Sequence, residues 1–552
     1  MTGTTPRLTN RSPGRRPRFG GWALIGLAAV AFLVAFLLWP TLRLMAASLL
    51  SLDAYARFFE RPYYYRALGN SLWLSTAATA GTILVGVPLA VLVARYDLPG
   101  KRFVRTTAVL SLLSPPFIGA YAWILLLGRA GFLTKLLAIR GLSIYGPGGV
   151  LFVFIIHHFA YVFLLAETAL SRIDPSLEEA AETMGVTPWK RLLTVTLPLC
   201  LPAIAAGGLL VFTTTLADFG TPMLIGEGLR TLPVLAYNEF LSELGGNAGM
   251  ASAISAMMLA IALGALWLQS RALRGRNYAM TGLRRPAVRP LPGWLKGPAA
   301  LFAFLVAGFA ALPQVVVVIT SFVRTRGPVF TGELGLDNYR LMWSRMSAPV
   351  INTLTYSLTA TLVMLVAGLA VGYILVRRPG AVAKALDSLL ILAQVLPGTV
   401  LGIGLLLTWG RPPFALTGTA AMLVLAYIVR RIAYTVRSAA AGLRQISPSV
   451  EEASLTLGAA PYRTFWRITA PLMLPAALSG AIVSWVSTVS ELSSTIMLYT
   501  GRTATVSIQI YNQVMTDSFG TAAALGTVLT LLTVTALWVL GRFSGRQDGL
   551  QL

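Results

Sequence analysis

Ile173-Asp174-Pro175-Ser176-Leu177-Glu178-Glu179-Ala180-Ala181 returns 273 positions later as Ile446-Ser447-Pro448-Ser449-Val450-Glu451-Glu452-Ala453-Ser454. The offset holds without a gap through Gly185/Gly458, Pro188/Pro461, Pro198/Pro471 and Pro202/Pro475. Further out the match loosens. Leu52-Asp53-Ala54-Tyr55 resembles Leu336-Asp337-Asn338-Tyr339, and Asn70 aligns near Asn352. The chain is a duplication, and each copy of the repeated segment is a polar stretch set between long apolar blocks.

Those blocks decide the fold class. The 552 residues are 56% hydrophobic and 12% charged, more apolar surface than soluble cores of this size can bury. Runs such as Trp22–Trp39, Leu301–Phe322 and Ala522–Leu540 approach the roughly 20 residues a bilayer-spanning helix needs. A membrane barrel would instead alternate over roughly ten-residue segments. The expectation is an all-α polytopic membrane protein of about 12 transmembrane helices in two parallel six-helix repeats. Spans are expected near 22–46, 68–94, 107–128, 148–170, 199–225 and 250–270, then near 298–322, 350–376, 386–408, 415–436, 472–498 and 518–541. The domain reading is a basic cytoplasmic tail over 1–20, a first membrane domain over 21–270, a cytoplasmic linker over 271–297, a second membrane domain over 298–541 and a tail over 542–552.

The net charge of +24 does not point to nucleic acid, because the basic residues sit in short segments between apolar blocks. With the N-terminus inside, cytoplasmic segments carry 30 of the 44 Lys and Arg and external ones 14. The positive-inside bias therefore places both termini in the cytoplasm. The Arg-rich lead precedes an apolar run too long for a signal peptide, so a retained first span is expected. One cysteine, Cys200, excludes an internal disulfide framework or a CxxC metal site. An even number of spans per half makes the repeat parallel, with a pseudo-twofold axis along the membrane normal where a pathway can run.

Each repeated segment precedes the fifth span of its half. Asp174 or Ser447 serves as N-cap, with Pro175 or Pro448 in the first turn. Glu178 and Glu179, or Glu451 and Glu452, follow where the helix dipole favours negative charge. Gly185 and Gly458 permit the left-handed turn that ends a helix. A second short helix is expected from Pro188 or Pro461. On it Trp189, Leu192 and Leu193 match Tyr462, Phe465 and Trp466, forming one apolar face. Pro198 and Pro471 then lead back into the membrane. Periodicity leaves two readings of that face: a helix lying in lipid headgroups or beneath its own bundle, and a docking knob for a soluble partner.

Glu179-Ala180-Ala181, Gly185, Val195 and Pro198 resemble the EAA loop of type I ABC import permeases, E-A-A-x3-G-x9-I-x-x-P. The second copy is Glu452-Ala453-Ser454, Gly458, Ile468 and Pro471. It departs by a serine, as the first does by Val195 for isoleucine. The resemblance spans essentially residues 50–540. It implies that the loops dock into two separate ABC ATPase subunits, with Glu178, Glu179, Ala180, Gly185, Trp189, Pro198, Glu451, Glu452, Ala453, Gly458, Tyr462 and Pro471 as the docking set. It also implies a periplasmic or lipid-anchored substrate-binding protein as partner and a bacterial inner-membrane location. The chain holds no G-x-x-x-x-G-K-[ST] phosphate loop, so it is expected to be no enzyme, to carry no cofactor and to rely on ATP hydrolysed by its partners. Leu478-Ser479-Gly480 lies inside a span and reads as small-residue helix packing.

Ionisable groups inside spans usually face protein or water. Asp218 and Glu491 are equivalent at the 273 offset, roughly 30 Å beyond Pro198 and Pro471 at ~1.5 Å per residue. They are candidate pathway residues, with an interhelical hydrogen bond as the competing reading. His157 and His158, adjacent on one helix, point about 100° apart and do not jointly ligate a metal. They read as packing groups. Ala217-Asp218-Phe219-Gly220 and Ser490–Thr495 resemble stretches of fused ferric-iron permeases, which implies ferric iron as cargo. Thiamine, aminoethylphosphonate and sugar phosphates are alternatives on the same architecture, and an ion-coupled secondary transporter is the rival class.

Overall fold

The computed structural model describes residues 21–129, 131–136, 143–241, 246–274, 288–326 and 329–544. The expected tail over 1–20, residues 275–287 of the linker over 271–297 and residues 545–552 lie outside them. The first half runs α1 (Gly21–Leu49), α2 (Pro62–Arg95), α3 (Lys101–Leu113), α4 (Pro116–Leu127), α5 (Pro147–Leu170), α6 (Pro175–Thr183), α7 (Pro188–Ala217), α8 (Leu232–Leu241) and α9 (Ala248–Ala272). The second half opens with α10 (Gly293–Ser321) and a hairpin of β1 (Val323–Arg326) and β2 (Val329–Leu334). It continues through α11 (Asp337–Arg377), α12 (Ala381–Val395), α13 (Gly398–Trp409), α14 (Ala420–Arg444), α15 (Pro448–Thr456), α16 (Pro461–Val489), α17 (Val506–Met515) and α18 (Phe519–Ser544).

Among the described residues ten helices are long and apolar enough to cross a bilayer, and the bent pair α12–α13 makes an eleventh. The twelfth expected span is α14, which carries Arg430, Arg431 and Arg437. Its 25 residues reach about 37 Å at the helical rise, so length allows a crossing where composition alone does not show it.

The expected all-α class holds, with one short addition. The antiparallel hairpin, with Val323 opposite Leu334 and Thr325 opposite Phe330, makes the protein nearly all-helical. It also accounts for the loose repeat: the offset is 273 at Ser48/Ser321 and 284 at Tyr55/Tyr339. In each half those two hydroxyls meet, Ser48 with Tyr55 and Ser321 with Tyr339. The offset is 282 at Asn70/Asn352, whose side chains donate to Arg230 O and Arg502 O at 3.0 Å. It returns to 273 from Pro147/Ala420 onward, because the connection before α5 is longer than that before α14.

Prolines correct the expected spans. Those at 107–128 and 386–408 are each broken, at Ser114–Pro115 and at Leu396–Pro397, with a bend of 112° in the second half. A residue preceding proline is forced out of the helical region, and Ser114 and Leu396 adopt ψ of 139° and 121°. The second short helix expected at Pro188 or Pro461 is instead continuous with the fifth span. Wide turns at Leu192–Thr196 and Phe465–Thr469 join the segments, and a third lies at Val34–Leu38. Each ends two residues before a proline: Pro198, Pro471 and Pro40. Proline lacks the N–H and crowds the carbonyl four residues back. One extra residue in the turn lets Leu197 and Ala470 donate to Leu192 O and Phe465 O, and the helix runs on. The fifth spans expected over 199–225 and 472–498 therefore start earlier, at Pro188 and Pro461, and end earlier, at Ala217 and Val489.

Small residues set the packing, as membrane helices require. A Cβ on Gly207 would lie 2.9 Å from Val162 Cα, and one on Gly480 2.9 Å from Thr435 Cα, so α7–α5 and α16–α14 approach at equivalent points. The halves are interlocked. α1 packs on α12 and α13 of the other half, where Trp409 Nε1 donates to Ala35 O at 3.2 Å. α10 packs reciprocally on α3 and α4, with Phe304 against Phe103 and Phe309 against Trp123.

Candidate functional site

Both repeated segments form a short helix, a left-handed turn and the start of a span. Asp174 Oδ1 accepts the Ser176 N–H at 3.0 Å, and Ser447 Oγ accepts the Ser449 N–H at 3.4 Å, capping α6 and α15. Pro175 and Pro448 occupy the first turn. Gly185 and Gly458 have φ of +76° and +84°, where any Cβ is strained. The Val186 N–H reaches back to Ala181 O at 3.0 Å, and the Ala459 N–H to Ser454 O at 3.1 Å. This 6→1 bond closes the helix end.

The two glutamates of each motif have different surroundings. Glu179 and Glu452 are exposed, as are Ala180 and Ala453. Glu178 and Glu451, expected in the docking set, turn inward instead. Glu178 pairs with Arg95 at the end of α2 (2.9 Å) and accepts from the Thr196 hydroxyl (2.8 Å). Glu451 pairs with Arg377 at the end of α11 (3.0 Å) and accepts from the Tyr373 hydroxyl (3.1 Å). The third motif position is buried in both copies. Ala181 packs there in the first, and the departing Ser454 finds a partner in Thr464 Oγ1 at 3.0 Å.

The expected apolar face splits. Trp189 (70% exposed) and Leu193 stand out in the first copy, Tyr462 (61%) and Trp466 in the second, with Met184 and Leu457 beside them. Leu192 is half-buried, and Phe465 is buried against Trp22 and Tyr373. The i and i+4 residues form the outward surface and the i+3 residue anchors it. Pro198 and Pro471 lie inside the fifth spans, just past the wide turns.

At the opposite end of the fifth spans the helices stop at Asp218 and Glu491. Each carboxylate caps the segment beyond its break: Asp218 Oδ1 accepts the Thr221 N–H at 2.8 Å, and Glu491 Oε1 the Ser494 N–H at 3.1 Å. Glu491 is also held by Arg430 and Arg431 of α14, each at 2.5 Å. At the 273 offset these arginines replace His157 and His158, which are buried in α5. Extending the repeat upstream of Ile173 reveals this exchange; scanning spans for isolated charges does not. Between the breaks, Phe219 lies against Tyr237 and Tyr511 (ring centroids 4.8 and 5.9 Å). A Cβ on Gly220 would sit 2.9 Å from Leu492 Cδ2. Phe219 and its equivalent Leu492 are both buried, so an apolar seam joins the halves there. Among the described residues no group of three or more His, Cys, Asp or Glu is arranged to hold a metal ion.

Residues 86–276 and 340–548 match the family of binding-protein-dependent transport system inner membrane components. The chain belongs to this family. Its two matched segments are the two halves of the repeat. A ferric transport system permease protein FbpB of Actinobacillus pleuropneumoniae is 27% identical over 539 residues, covering 93% of this chain and 78% of the relative. A putative ferric transport system permease protein FbpB 1 of Haemophilus influenzae is 28% identical, covering 86% of this chain and 78% of the relative. A molybdate/tungstate transport system permease protein WtpB of Thermococcus kodakarensis is 26% identical over 251 residues, covering 45% of this chain but 94% of the relative. A whole permease of that kind corresponds to less than half of this chain.

Proposed function

We propose that this chain is the complete membrane channel of an ABC importer, two permease units fused, and that its cargo is ferric iron. Two ATPase subunits dock on the loops at 173–198 and 446–471. A periplasmic or lipid-anchored protein delivers substrate at the opposite end. The observation carrying the docking role is the twice-built loop, in which an exposed aromatic (Trp189, Tyr462) follows, across the left-handed turn, a short helix whose inner glutamate is ion-paired to its own bundle. A tip fixed at its base transmits force, whereas a helix loose in headgroups does not. ATP is hydrolysed by the partners, since the sequence contains no phosphate loop, and the permease needs no cofactor of its own. Closure of the ATPases moves both loops and reopens the seam at Phe219 and Leu492, giving alternating access.

Iron is favoured because similarity to ferric permeases runs through 93% of the chain. Molybdate is the second reading, supported by similarity confined to one half. The test uses the binding protein that supports uptake through this permease: calorimetry with ferric iron, molybdate, thiamine, aminoethylphosphonate and a sugar phosphate. Tight ferric binding is expected. Tight binding of another ligand with no ferric response overturns the cargo and leaves the permease assignment standing.

A further inference from the structure

The two docking helices are not held alike. On α6, Glu178 and Glu182 lie four residues apart and so share one helical face. Glu178 is gripped by Arg95 at 2.9 Å. Glu182 Oε2 receives both Arg191 Nη1 at 2.5 Å and Arg289 Nη2 at 3.0 Å. Arg289 comes from the segment joining the halves, and its backbone is tied to the same place. The Arg289 N–H donates to Arg95 O, and the Asp97 N–H donates to Arg289 O, both at 2.9 Å. Arg95 and Arg289 are therefore hydrogen-bonded neighbours that hold consecutive turns of one docking helix.

Among the described residues the second half keeps only the first of these grips. Glu451 is held by Arg377 at 3.0 Å, but Leu455 stands where Glu182 would be and Thr464 where Arg191 would be. Leu455 is exposed. Beyond Arg289 the chain passes through Pro290-Leu291-Pro292 and enters α10 at Gly293. Leu291 is buried, and both prolines fix their φ, so this connection is short and stiff. α10 in turn packs on the first half, with Phe304 touching the α2–α3 turn at Gly100.

We propose that Arg289 is a strut between the halves: it couples displacement of the first docking helix directly to α10, the opening span of the second half. The proposal rests on the docking role given to α6 above. A pair of separate permease chains has no linker from which to build such a contact, so the strut follows from fusion. It makes the two docking sites mechanically unequal even if two identical ATPases occupy them. Arg289 is a positioning residue; it moves α10 through Glu182 and touches no substrate.

The test reconstitutes the permease with its ATPase and binding protein in liposomes, and reads uptake and ATP hydrolysis together. Arg289→Gln removes the charge from a half-exposed site, so abundance and ATPase co-purification should match wild type. Uptake per ATP should fall about two- to fivefold, the range of an exposed-to-partly-buried ion pair. Arg289→Lys should restore most of the ratio. Wild-type uptake per ATP in Arg289→Gln, with ATPase bound, overturns the strut while leaving the docking role intact. Failure of the ATPase to bind the wild-type permease sinks the docking role and the strut with it.

Discussion

Arg95, the last residue of α2, and Glu178, in the first turns of α6, form a 2.9 Å ion pair that the second half rebuilds between Arg377 and Glu451 at 3.0 Å. The pair anchors α6 and α15, the helices proposed to dock, each to the end of the second span of its own half. Motion at the exposed tip therefore has a defined route into the bundle. Glu178→Gln and Glu451→Gln leave a mostly buried guanidinium without its counter-charge, which costs about 1–3 kcal/mol locally. Hydrogen exchange over residues 175–183 and 448–456 should accelerate in these variants. The exposed Glu179→Gln and Glu452→Gln should stay within about 0.5 kcal/mol of wild type. Equal protection in all four variants would count against the anchor.

The left-handed turns give a second expectation. Replacing Gly185 and Gly458 together by valine places a β-branched residue at φ near +80° in both loops, at a cost of about 1–2 kcal/mol each. A Cβ at either position would meet no neighbouring atom within 4 Å, so the strain is in the backbone and insertion should survive. ATP hydrolysis should persist while uptake is lost. Normal ATP-driven uptake in the double variant is the outcome that removes these loops as couplers.

Much of this architecture was legible because the duplicated segment carries its own punctuation. Asp174/Ser447, Pro175/Pro448 and Gly185/Gly458 mark cap, first turn and stop by local rules, and the structure places them so. What could not be read locally depends on partners far along the chain. The inward turn of Glu178 needs Arg95, and the burial of Phe465 needs Trp22 and Tyr373. The continuous fifth spans escape a local reading for another reason. Pro198 and Pro471 read as helix starts, but a turn widened by one residue lets the helix pass through them.

Acidity should act on the strut in one direction. The Arg289 and Arg191 guanidiniums hold the Glu182 carboxyl below the ordinary carboxylate range. A depressed carboxylate contributes fully above its unfolded value and is lost as pH falls through its lowered one. Uptake per ATP in wild type should thus be flat from about pH 6 to 8 with respect to this group. Glu182→Gln, which abolishes the charge at every pH, should reproduce the Arg289→Gln defect. A Glu182→Gln variant that couples normally would contradict the grip.

Orientation is open to direct measurement. From the basic bias of the connecting segments both termini are expected in the cytoplasm, the side on which the loops at 173–198 and 446–471 are proposed to dock. Cys200 is buried, so it contributes little background to accessibility labelling. Cysteines introduced near either end should react with a membrane-impermeant reagent only after the cells are opened. Reaction in intact cells would reverse the topology.

The last expectation separates two carboxylates that the sequence presents as equals. Asp218 and Glu491 both cap the segment beyond a helix break, but Glu491 also pairs with Arg430 and Arg431 inside the bundle. Glu491→Gln leaves two arginines with no counter-charge and should cost about 3–5 kcal/mol, the penalty for breaking a buried pair from one side. Low membrane abundance and early thermal unfolding in detergent are expected. Asp218→Asn keeps an oxygen able to accept the Thr221 N–H, so its stability should change by less than about 1 kcal/mol. Any loss of uptake in that variant then reports on the pathway, free of a folding defect. Arg430→His with Arg431→His, which copies the His157–His158 arrangement, should make Glu491→Gln less damaging than it is alone, because fewer fixed charges remain to be stranded. Full stability of Glu491→Gln by itself would show that the arginines do not depend on it, and would return Glu491 to the pathway role in which it and Asp218 act as a pair.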